Sequence, residues 1–307
     1  MTVLERGVLA DGRHYSVLEE LATFCPLGLR FWDAVADAQI HGTLRVRAWP
    51  LPARRPVVDA FRTVSGVYAF QDLPGLIDVE RPPSPPPPPA SPLVTRPFVV
   101  EVQDLARQFL PVAFNVDLPH RGLFLPPLAG SPGGPLPGFY LFSSPVRTLA
   151  PGVAVVRAEM VDAATGRRAP WALVRVTVAG QGDRWGLADE AGRVAVQFPF
   201  PLISPGFGQL FASPPGTASP PGPPVAERSW EVAVAVFWEP SRLAPLPGTE
   251  LPDLAQIFQQ APADVLSSGG SPPVTAPEWQ GTLPWDGELV AATAGSRQLW
   301  ISGQGSP

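Results

Sequence analysis

Two acidic residues stand side by side, Asp189 and Glu190, in the stretch GLADEAGRVAVQFP. Paired carboxylates can do general acid–base work when an apolar pocket or a close like charge raises the pKa of one of them. Adjacent side chains on a strand point to opposite faces, however, so such neighbours seldom share a substrate. An aspartate with a glycine three residues on has another use. Its carboxylate accepts backbone N–H groups of the following residues, and the glycine supplies a positive φ where the chain reverses. Asp189 and Glu190 are therefore expected to turn the chain, and Asp162 with Thr165 and Gly166 is read the same way. The other candidates are sparse. His14, His41 and His120 lack the spacing that puts two metal ligands on one face, and are read as solvated or loop-bracing. Cys25 could pair with His41 as a nucleophile, but burial as a small apolar residue is the expectation. There is no G-x-S-x-G elbow, and GFG at 206–208 leads into no helix that could cradle a phosphate. No catalytic, cofactor-binding or metal-binding residue is assigned.

The totals remove further classes. All 22 basic residues are arginine, which excludes Schiff-base chemistry and a P-loop lysine, and the net charge is −5. No basic stripe with interleaved aromatics is present, so nucleic acid is not an expected partner. A single cysteine can make no intrachain disulfide. The first 24 residues carry charges every few positions, without the apolar centre of a signal peptide or the length of a membrane span. Cytoplasmic synthesis without a signal peptide, and no membrane insertion, are the expectations.

The elements that hold these residues read as strands. With 43 prolines and 29 glycines, long helices are disfavoured, because an interior proline removes a hydrogen bond and clashes with the preceding turn. Period-two alternation marks 43–49, 66–70, 98–104 and 109–118, then a second series at 152–162, 172–180, 193–200 and 229–238. The expected fold is mostly β: two tandem antiparallel β-sandwich domains with long Pro-rich loops, a short C-terminal helix and a terminal hairpin. The expected order is an N-terminal extension 1–27 with a short helix from Ser16, and a first sandwich 28–124 with a Pro-rich loop 81–97. A linker 125–148 follows, then a second sandwich 149–240 with a Pro-rich insertion 203–227, and a C-terminal extension 241–307. In that extension Leu254, Ile257 and Phe258 give a helix over 253–261 an apolar stripe, and GELVAAT with RQLWISG forms the hairpin. Trp32, Trp171, Trp185, Trp230 and Trp238 are expected in the cores, while Trp279, Trp285 and Trp300 are candidates for exposure.

The two halves share a plan. Residues 30–49 and 158–178 each run strand, Asp, short turn, strand, and each is followed by a glycine turn and another strand. The second copy reads Asp162, Thr165, Gly166, then Ala188 to Val194 as ADEAGRV. This pattern resembles the carboxypeptidase-regulatory-like, transthyretin-like β-sandwich family. In the first copy Asp33 is present, Asp37 stands in the place of glycine, and Ser65-Gly66-Val67-Tyr68 lacks the acid. The whole arrangement, with SGVYAFQDLPGL and FVVEVQDLARQFLPVAFNVDLP, is also similar to accessory or baseplate-type proteins of phage-tail-like contractile injection systems. The resemblance implies a non-enzymatic structural or adaptor component, with other protein subunits of a tail-like particle as partners. The expected contact segments are 81–97, 203–227 and 268–285. A carbohydrate- or surface-binding module is the alternative, and it requires tryptophans in a row on one exposed sheet face.

Overall fold

The computed structural model describes residues 5–8, 11, 13–17, 24–42, 44–52, 55–80, 94–120, 123–124, 138–179, 181–201, 228–268, 274–285 and 287–303. The Pro-rich stretches expected at 81–92 and 203–227, and most of 125–138, lie outside the described residues. The fold is mostly β, with several sheets and, among the described residues, only short helices: the α-helices α1 (Ile77–Glu80) and α2 (Leu254–Phe258) and a 3-10 turn at Pro240–Arg242.

Near the N-terminus β1 (Glu5–Val8) and β2 (His14–Val17) form an antiparallel hairpin. Ser16 therefore lies in a strand and does not cap the helix expected there; residues 18–23 lie outside the described set. The carboxylate of Asp11 accepts from the amide of Arg13 at 3.1 Å, which closes the turn and favours the hairpin over a helix start.

The first core lies under three small sheets. One has the order β3 (Gly28–Leu29), β9 (Tyr68–Ala69), β8 (Phe61–Arg62). The second runs β12 (Phe139–Tyr140), β4 (Phe31–Asp33), β5 (Ala38–Gln39), with β12 parallel to β4. The third runs β11 (Val112–Leu118), β10 (Arg96–Asp104), β6 (Leu44–Pro50), β7 (Val58–Asp59). Alternate residues of β6 and β10 face inward: Val46, Ala48, Phe98, Val100 and Val102 are buried with Phe31, Phe70, Phe114 and Phe139. Part of the expected linker 125–148 thus belongs to this core, since Phe139, Leu141 and Phe142 are buried in it.

The second core is enclosed by a ten-stranded sheet. Its path is β15 (Arg184–Leu187), β14 (Leu173–Val178), β17 (Ser229–Phe237), β18 (Pro262–Ser268), β22 (Leu299–Ser302), β13 (Val153–Asp162), β16 (Arg193–Pro199). Three further strands attach to it: β19 (Val274–Ala276) to β18, β20 (Trp279–Pro284) to β17 and β21 (Glu288–Val290) to β13. Val156, Met160, Val174, Val176, Val196, Phe198, Val234, Val265 and Ile301 fill the interior.

The last two strands do not form the expected hairpin. Both run parallel to β13, β21 beside Val155–Arg157 and β22 beside Met160–Asp162. The chain between them bulges out and returns to the same edge without reversing. Thr293 fixes that bulge: its hydroxyl donates to the Leu266 carbonyl at 2.7 Å and accepts from the Trp300 amide at 3.0 Å. A ten-residue β13 is long enough to receive both.

Helix α2 is shorter than the stretch 253–261 expected from its apolar spacing. Asp253 caps it by accepting from Ala255 N at 3.0 Å, and Pro262 already opens β18. Its stripe, Leu254 and Ile257 with Phe258, packs into the first core.

Candidate functional site

The Asp189 carboxylate is consumed by its own turn. Oδ1 accepts from Ala191 N and Arg193 N, each at 2.9 Å, and Oδ2 accepts from the Arg193 guanidinium at 2.7 and 3.0 Å. Gly192 closes the reversal at φ +72°, where an added Cβ would lie 2.8 Å from the Met160 carbonyl oxygen. Glu190 is exposed, so the two acids face different surroundings. Asp162 behaves alike, accepting from Ala164 N at 3.1 Å and the Thr165 hydroxyl at 2.6 Å. A third strand-ending acid, Asp104, accepts from the amides of Ala106, Gln108 and Phe109 at 2.6 to 3.0 Å.

The first copy repeats this bonding with different residues. Asp33 accepts from Val35 N at 2.9 Å, as Asp162 does from Ala164. Asp37, four residues on, takes φ +46°, the left-handed conformation that Gly166 holds at +68° in the second copy. The missing acid has a substitute in Thr63. Its hydroxyl and the Asp189 carboxylate play one part: Thr63 Oγ1 accepts from Val67 N at 3.0 Å, and Asp189 Oδ1 accepts from Arg193 N. The backbone matches as well. Thr63 N donates to Val67 O at 2.8 Å and Gly66 N to Thr63 O at 2.9 Å; Asp189 N donates to Arg193 O at 2.8 Å and Gly192 N to Asp189 O at 2.9 Å. The signal available in the sequence was the glycine three residues after Thr63.

The remaining candidates do not converge. The His41 ring accepts from Arg62 Nη2 through Nδ1 at 2.8 Å, a contact that braces the loop. His120 packs edge-on against Phe124 with ring centroids 5.3 Å apart. Cys25 is exposed, which corrects the expected burial, because the chain enters the first core only at Pro26 and Leu27. Partial desolvation, and then the charge of Glu80, push its thiol pKa up, which disfavours the thiolate a nucleophile needs. Among the described residues no group of His, Cys, Asp and Glu is placed to hold a metal ion, and no helix is long and apolar enough to cross a membrane.

None of the nine tryptophans is exposed. Trp49 and Trp238 are fully interior, and Trp32, Trp171, Trp185 and Trp230 are half-buried at the margins where core positions were expected. Trp279, Trp285 and Trp300 are half-buried too, with the Trp279 indole N–H on the Ala292 carbonyl at 3.0 Å. Trp285 and Trp230 enclose Phe200 at centroid distances of 4.9 and 5.7 Å.

One concave feature does collect unused polar groups. The loop between Pro245 and Pro252 folds over the outer face of the β11–β10–β6–β7 sheet, with Leu246 and Leu251 packed on Trp49, Val99 and Ala113. Trp49 Nε1 donates to the Pro247 carbonyl at 2.9 Å and pins the loop. Beside it lies a groove of about 500 Å³ with Arg47 and Glu101 on its floor and Thr249 and Glu250 on its wall. Arg47 and Glu101 face each other in register across β6 and β10 and are joined by one contact, Nη2 to Oε1 at 2.6 Å. Sequence reading missed this pair, because nothing local signals that β6 and β10 are neighbours.

No protein-family model matches the chain, and no curated protein does. Among solved structures, the chain aligns with the C-terminal fragment of the pilus adhesin SpaC from Lactobacillus rhamnosus GG. The identity is 6%, with 90% of this chain and 96% of that one covered, at a TM-score of 0.18. A similarity at that level defines no common fold.

Proposed function

We propose that this protein is a non-enzymatic structural or adaptor component of a multiprotein assembly. The observation that carries the reading is the use of its strand-ending acids. Asp33, Asp104, Asp162 and Asp189 are each committed to backbone amides of the next turn. A carboxylate whose oxygens are bound within its own turn offers a substrate little to meet. Meanwhile apolar side chains project at loops away from either core, with Val64 and Val146 fully or largely exposed. Such residues are what a partner protein can cover. The assembly fitting the sequence resemblance is a phage-tail-like contractile particle, in which the chain would join other protein subunits. A sugar-binding module would need fully exposed tryptophans in a row on one sheet face, and none of the nine is more than half-exposed.

The test is affinity purification of the tagged chain from its source cells, followed by mass spectrometry. Recovery of sheath, tube or baseplate subunits in fixed ratio is expected. A chain that purifies alone, or a hydrolytic activity abolished by Asp189→Asn, would overturn the proposal.

A further inference from the structure

The groove beside the 245–252 loop has a floor whose hydrogen-bonding capacity is half used. Glu101 is buried, its side chain 5% exposed, yet only Oε1 has a partner. Arg47 spends Nη2 alone, and its Nε is buried without a partner among the described residues. Glu101 Oε2 is not among the buried atoms left without a partner, so it stands open to the groove as an acceptor. The floor therefore offers a ligand an acceptor at Glu101 Oε2 beside the guanidinium of Arg47, whose side chain is 25% exposed.

Charge narrows the choice. Arg47 and Glu101 neutralise each other, so a bare anion meets Glu101 and a bare cation meets Arg47. A neutral group carrying N–H and C=O side by side suits both, and that group is an amide. Stacking does not compete, because Trp49 is 2% exposed and its indole N–H is taken by Pro247. Val57 and Pro111 add apolar contact along the rim, and Glu250 stands exposed on the wall. A groove of about 500 Å³ lies in the usual size range of ligand sites.

We infer that this groove binds an extended peptide segment of a partner protein, one backbone or side-chain amide seated on Arg47 and Glu101 and a basic residue beside Glu250. The inference rests on the adaptor reading and supplies it with a docking point. Glu101 sits on a central strand and Arg47 on its neighbour, so the floor is rigid, while the loop wall sets how long a peptide fits.

A displayed library of short linear peptides, panned on the full chain, tests it, with selected peptides resynthesised and measured by fluorescence polarisation. Selected sequences should carry Arg or Lys. Their affinity should fall about tenfold with Glu101→Gln, which replaces the free acceptor by a donor. It should also fall with Glu250→Arg, an exposed change that leaves the thermal midpoint unaltered. Failure to select any binder, or binders indifferent to both substitutions, would overturn the inference. Glycan-array binding lost with the same substitutions would place a sugar there instead and overturn it too. Partner recovery by the Glu250→Arg chain equal to wild type removes the groove but keeps the adaptor role. Peptide binding without any partner in a pull-down removes the assembly reading and keeps the groove.

Discussion

At the scale of single residues, the two copies show how one hydrogen-bond pattern survives a change of letters. A hydroxyl at Thr63 accepts the same amide as a carboxylate at Asp189, and Asp37 takes the left-handed conformation that Gly166 takes without strain. The two closing glycines are not equally demanding. At Gly192 both φ and space forbid a side chain, since the crowding atoms are backbone of Met160 and Ala169. At Gly66 the nearest atom is the tip of the Gln39 side chain, which can swing away. Gly66→Ala should cost about 1–2 kcal/mol for the left-handed conformation alone, and Gly192→Ala clearly more. Urea unfolding of the two variants measures the order; equal losses would remove the steric argument. The thiol of Cys25 gives a pH test. Its folded-state pKa is raised by partial burial and by Glu80, so its contribution to stability is full below the unfolded pKa and is lost as pH rises through the folded one. Iodoacetamide labelling should therefore reach half its limiting rate at a higher pH in the native chain than in urea. Asp162 and Asp189 were legible from the glycines that follow them, whereas Asp104, whose turn holds Arg107 at φ +57° and no glycine, was not. The substitutes Thr63 and Asp37 were not, because a motif written in letters does not record which atoms accept and which backbone conformations aspartate tolerates.

At the scale of elements, seven of the eight strands expected from period-two alternation stand close to where it puts them, as β6, β10, β11, β13, β14, β16 and β17, while 66–70 keeps only the two-residue β9 and the seven-residue β18 was not expected. What alternation cannot give is the partner. The parallel addition of β21 and β22 to β13, and of β12 to β4, joins segments far apart in sequence with no local turn to announce it. The stretch after β12 shows what such joins require. The Arg147 guanidinium grips both oxygens of Asp33 at 3.1 and 2.6 Å, adds the Ser143 hydroxyl at 3.0 Å, and lies 4.8 Å over the Phe109 ring. Both side chains are nearly buried, at 13% and 12% exposure. Arg147→Ala should cost about 3–5 kcal/mol by leaving Asp33 unpaired. The double change with Asp33→Ala should cost less than the sum of the two single losses. Strict additivity in chemical denaturation would show that the pair is not a unit.

At the scale of the whole molecule, the two halves look separable on paper and are not separable in their packing. Leu173 and Leu187, on strands of the second sheet, are buried in the first core, and Trp171, Trp185 and Phe237 pack against it. Helix α2 lies after the second series of strands yet buries Leu254 and Ile257 in that same first core. Its cap, Asp253, reaches the first half through Asn115 Nδ2 at 2.7 Å, while Gln260 holds the carbonyls of Trp171 and Ile257 at 2.9 and 3.1 Å. Removing the C-terminal extension would strip apolar cover from the first core and open the β13 and β17 edges of the second at once. Independent domains would melt in two steps, since each keeps its own core intact while the other is lost. Shared burial makes loss of either core expose the other, so the chain should unfold in a single transition. Calorimetry would show one peak with van't Hoff and calorimetric enthalpies equal. Leu254→Ala should lower that one peak as a whole, by about 2–5 kcal/mol in stability, without splitting it. Two resolved peaks, with only one moved by the substitution, would mean that the helix serves a single half and that the halves fold alone.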